Sequence, residues 1–121
     1  MKHGRMAVII KVNKYIFIRC TMRTVNTIIQ EITDLKGQDD KAAFKKFLEI
    51  AAIGRDSNNK YFHVMGMMNA AAVALQVGGS QNCMELMTAA HDVDEEIWTK
   101  YMEEPHMKNV LMELSKLGAF E

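Results

Sequence analysis

The stretch Tyr61–Val77, YFHVMGMMNAAAVALQV, constrains this chain more than any other. It holds no formal charge except the one available to His63, and apolar side chains recur on nearly every side of a helix. A helix that is hydrophobic all round is walled in by neighbours in a globular protein. At about 1.5 Å per residue it is roughly 25 Å long. Gly66, Ala70, Ala71, Ala72 and Ala74 leave room for other helices to approach closely. Helix nucleation is costly, so a helix without a polar face is not stable alone. The remaining residues must cover it.

Four further segments carry helical periodicity. Val25, Ile28, Ile29, Ile32 and Leu35 form the first stripe, and Gly37 stands where a helix stop belongs. Asp39 or Asp40 can cap a second helix with Ala43, Phe44, Phe47, Leu48, Ala51 and Ala52 on its apolar face. Gly54 then opens the loop GRDSNN, and Gly78-Gly79 closes the central helix. Ser80 or Asn82 can cap a fourth helix, with Asn82 and Glu85 at capping-box spacing. Its stripe is Met87, Ala90, Val93, Ile97 and Tyr101. A second capping box, Asp92 with Glu95, predicts a kink or restart near His91. Pro105 suits the first turn of a last helix, with Met107, Val110, Leu111, Leu114 and Leu117 inward and Gly118 as its stop. Short connections imply antiparallel neighbours. The expected fold is therefore mainly α, a five-helix bundle around residues 61–77. Residues 7–12 and 15–20 are rich in Val, Ile, Tyr and Phe and read as a β-hairpin about Asn13-Lys14. They make 1–21 a basic, strand-like extension of a single helical domain, 22–121; the 121 residues suit one domain.

The formal net charge is zero, but its distribution is uneven. Residues 1–21 carry five basic groups and no acid, while the remaining hundred carry 10 basic and 15 acidic groups. An acidic body disfavours nucleic acid, whose phosphates need clustered Lys and Arg. The two cysteines, Cys20 and Cys83, have neither disulfide-framework nor zinc-site spacing, which fits reduced thiols and a cytoplasmic protein. Lys11, Asn13 and Lys14 break the apolar part of the prefix, so it does not read as a signal peptide. The central helix is too short and too polar to span a membrane.

No catalytic set converges in the sequence, and no cofactor is implied. Cys83 and His91 lie eight residues apart, roughly 12 Å along a helix, too far for a nucleophile–base pair. His63 is the other base that could meet Cys83, across the bundle. His91 and Glu95 share a helix face, but a metal needs three or more ligands. Glu103-Glu104-Pro105-His106 holds one Glu-x-x-His, and the second copy a di-iron bundle needs is absent. Asp56-Ser57-Asn58-Asn59-Lys60 lacks the glycine and glutamate of a calcium loop. No metal is expected.

Two functional readings follow. The first is a small soluble, non-catalytic binding or regulatory protein, acting through protein–protein contacts and self-associating. Its surface is an acidic, aromatic face of Asp94, Glu95, Trp98 and Tyr101, suited to a basic partner. Eleven methionines add adaptable apolar surface. The second is a helical small-molecule or nucleotide-binding protein, with Arg55, Tyr61, His63 and Asn69 orienting a ligand in a pocket between helices.

Overall fold

A computed structural model of the chain describes residues 24–118. Among them are six helices and no strand. They are α1 (24–34), α2 (Asp40–Asp56), α3 (Lys60–Gln76), α4 (Ser80–Val93), α5 (Glu95–Met102) and α6 (Pro105–Lys116). The hairpin at 7–20 and the extension 1–21 lie outside the described residues. The expected fourth helix is two. Asp94 takes an extended backbone, and its side-chain Oδ1 accepts a 2.9 Å hydrogen bond from the Ile97 N–H. It therefore ends α4 and caps α5 at once. Asp92, three residues before Glu95, plays no part in that cap.

Other boundaries follow from local chemistry. Asp39, not Asp40, caps α2 by accepting from the Ala42 N–H. Asn59 caps α3 by accepting from the Phe62 N–H at 3.0 Å. Ser57 donates its hydroxyl to the Ile53 carbonyl at 2.6 Å, and Asn58 turns the chain at φ 57°. The polar residues of the α2–α3 connection are thus spent on ending one helix and starting the next. Gly78, at φ +84°, ends α3. The cap of α4 is Gly79, with no side-chain bond, so the Asn82–Glu85 box is not used.

Helix α3 is central. Along its first half burial alternates: Phe62, Val64, Gly66, Met68 and Ala70 are buried and the residues between them half-buried. Successive residues turn a helix by about 100°, so every second residue faces nearly the opposite side. The alternation marks two neighbours on opposing sides. On one side lies a cluster of Val25 and Ile28 from α1, Ile50 from α2 and Phe62. On the other, Val64, Met68, Ala71 and Ala74 meet Cys83, Met87 and Ala90 of α4 and Met107, Val110 and Leu114 of α6. No residue from 62 to 75 is exposed, so this one chain covers its apolar helix.

The α2–α3 contact is made by backbone. A Cβ added at Gly66 would stand 2.5 Å from both the Phe47 carbonyl oxygen and the Ala51 nitrogen. One added at Gly54 would collide with the backbone of His63 and Asn59. Gly54 was expected to open a loop; it lies buried inside α2 instead, which continues to Asp56. The glycine serves close approach rather than termination.

Candidate functional site

Trp98 and Tyr101 occupy successive turns of α5 but line different clefts. Trp98 closes one end of a groove of about 430 Å³. Helix α4 supplies Met84, Met87, Thr88 and His91 to it, α5 supplies Trp98 and Met102, and α6 supplies Leu111. The α4 residues fall at i, i+3, i+4 and i+7, a single stripe running about 10 Å along the helix. The His91 ring stands edge-on to Trp98, with centroids 5.0 Å apart. The Trp98 indole N–H is closed off from solvent and has no acceptor. Asp92 and Glu95 flank His91, with carboxylate oxygens 3.5 and 4.0 Å from its ring nitrogens, and are 75% and 78% exposed. Two acids thus stand in solvent beside His91, itself a lining residue of the apolar trough. Asp94, also expected on this surface, is occupied as the α5 cap.

Tyr101 contacts two residues expected in a ligand pocket, Tyr61 and Asn69. Its ring lies 6.2 Å from that of Tyr61 and 6.4 Å from that of His106. Its hydroxyl accepts a 3.5 Å hydrogen bond from the Asn69 side-chain amide, which also donates to the Met65 carbonyl at 2.8 Å. Burial, with Tyr61 alongside, pushes the Tyr101 phenol up to about 12. Tyr61, Tyr101 and His106 border an open cleft of about 470 Å³ with Ile97, Lys100 and Glu104. His106 was not singled out as a pocket residue. Pro105 at the start of α6 sets it in the first turn, facing the end of α5.

No protein-family model, curated protein or solved structure matches the chain.

Arg55 and His63 form a separate pair. Arg55 is exposed and bonded to Asp56 at 3.1 Å. Burial, helped by the Arg55 charge, holds His63 below the usual imidazole value. Neither residue lines the Tyr101 cleft, and Asn69 reaches it only through its bond to the Tyr101 hydroxyl, so of the four residues expected in one pocket Tyr61 alone lines this cleft. Cys83 is fully buried, its sulfur 3.8 Å from that of Met87, and burial pushes its thiol up. It packs beside the C-terminal part of α3, while His63 lies in the first turn, roughly 15 Å away along the axis. The two do not form a nucleophile–base pair. Among the described residues no three His, Cys, Asp or Glu side chains converge as metal ligands, and no helix is long and apolar enough to cross a membrane.

Proposed function

We propose that this protein is a non-catalytic interaction module that docks a segment of a partner protein in the α4–α6 groove. The observation that carries the reading is the groove itself. Three methionines, a leucine and a tryptophan line a trough open to solvent. Methionine side chains repack around differently shaped partners at little cost. Each large apolar side chain that a partner buried there would contribute about 1.5–3 kcal/mol. The sealed Cys83 and its distance from His63 count against acyl-transfer chemistry.

A different protein suits the groove better than a second copy. The exposed large hydrophobic residues among those described are Ile29, Tyr61, Val77, Met112 and Leu117. They are distributed over α1, the two ends of α3 and α6, and make no single row for the groove to receive.

A photo-reactive side chain in place of Thr88, at the groove rim, tests the reading, with the same group at Lys36 as control. The expected result is a discrete adduct from Thr88 alone, whose mass distinguishes a foreign partner from a second copy. Adducts from both positions, or from neither, contradict it.

The Tyr61–Tyr101–His106 cleft supports a second reading, a small-molecule site, because Tyr61 lines it and Asn69 hydrogen-bonds the hydroxyl of its Tyr101. A thermal-shift screen with metabolites and nucleotides tests it. A ligand at about 100 times its Kd stabilises by about 2.7 kcal/mol. A shift that Tyr101→Phe abolishes supports the site, and no shift in the panel counts against it.

A further inference from the structure

We infer that the α4–α6 groove selects a basic amphipathic helix, an inference that rests on the docking reading above. The first argument is charge. Between residues 24 and 79 acids and bases balance, six against six. Between residues 80 and 116 there are eight acids against three lysines. The whole net negative charge of the described residues therefore lies on the helices that build the groove. Asp92 and Glu95 place two of those charges beside His91, which lines the groove, and both reach into solvent. A partner with lysine or arginine beside its apolar row is attracted there, while an acidic one is repelled.

The second argument is the shape of the walls. All three are helices, and among the described residues there is no strand and hence no sheet edge for an extended peptide to join. The stripe Met84, Met87, Thr88 and His91 offers the i, i+3, i+4, i+7 ridge against which another helix packs. Trp98 and Met102, at i and i+4 on α5, repeat that spacing on the facing wall.

The experiment uses the full chain, in which Trp98 is the sole tryptophan and reports directly on the groove. The probes are two synthetic helical peptides with the same leucine row, one with lysine and one with glutamine at every other position. The lysine peptide is expected to shift Trp98 emission and to bind about tenfold tighter or more at low salt, the gap closing as salt screens the charges. Asp92→Lys with Glu95→Lys should abolish the preference. Asp34→Lys with Glu49→Lys, the same charge change on α1 and α2, should leave it. Lysine at the first turn of α5 opposes the helix dipole. The pair Asp92→Asn with Glu95→Gln therefore serves as a second test and should narrow the gap about half as far on a logarithmic scale. Equal affinity for the two peptides overturns the charge selection and leaves groove docking standing. A lysine preference that survives both groove double variants also overturns it. Absence of any Trp98 response to either peptide overturns the docking reading as well.

Discussion

The two sides of α3 are built from different materials. Toward α1 and α2 it presents Phe62 and Gly66 to a cluster of Val25, Ile28 and Ile50, and at Gly66 two backbones touch. Neither α1 nor α2 contains a methionine, Met65 of α3 being the one that packs against this cluster, and their charges nearly cancel. Toward α4–α6 the core holds Met68, Met87 and Met107, the surface adds Met84, Met102 and Met112, and the net charge is acidic. Branched side chains have few rotamers, and a backbone contact tolerates no added atom. Thioether chains bend around whatever they meet. The first side gives the molecule a fixed frame; the second carries the surface on which we propose that a guest docks.

The strongest way to break this comparison is to add one methyl group to the tight side. Gly66→Ala should destabilise by about 3 kcal/mol, at the upper end of overpacking costs, because the atoms it meets are backbone. Denaturant unfolding measures it. Met87→Leu on the other side should cost about 1 kcal/mol or less, the usual result of a volume-conserving swap. A reversal of that order would show that the two sides do not differ as described.

The acid response is smaller. His63 has its pKa depressed in the fold, so its contribution is fully present above about 6.5, the unfolded value, and is lost as pH falls below it. His63→Gln should therefore flatten the decline of thermal stability on acidification below about pH 6.5. An unchanged slope would place the imidazole in solvent. The alkaline response sharpens the picture on the other flank. Tyr101 has its pKa raised, so its contribution is present below about 10 and is lost as pH climbs toward about 12. An ultraviolet titration of the phenols should show a late component that Tyr101→Phe removes.

Sequence alone revealed the frame better than the site. The apolar run 61–77 could only be central, and Asp39, Gly37, Gly78, Pro105 and Gly118 mark helix boundaries by rules local to a turn. Gly54 misled because glycine either ends a helix or lets another helix touch it, and only the partner backbone decides which. The break at Asp94 was foreseen two to three residues early, since three acids between 92 and 95 offer alternative caps. Trp98 and Tyr101 were read as one face because residues at i and i+3 are neighbours on a helix. Yet α5 has only eight residues and wedges between α4 on one side and Tyr61 and His106 on the other. A separation of about 60° around so short a helix is enough to send two side chains to different clefts. His106 stood out in the sequence only as half of a Glu-x-x-His, because its place in the cleft comes from the Tyr101 ring on another helix.

The most direct measurement of the central claim is methyl NMR of the full chain titrated with the lysine–leucine helical peptide. The account predicts that the Met84, Met87 and Met102 methyl signals move together and saturate, while those of Val25, Ile28 and Ile50 stay in place. Movement spread equally over both sides of α3, or confined to the Val25–Ile50 side, would contradict it.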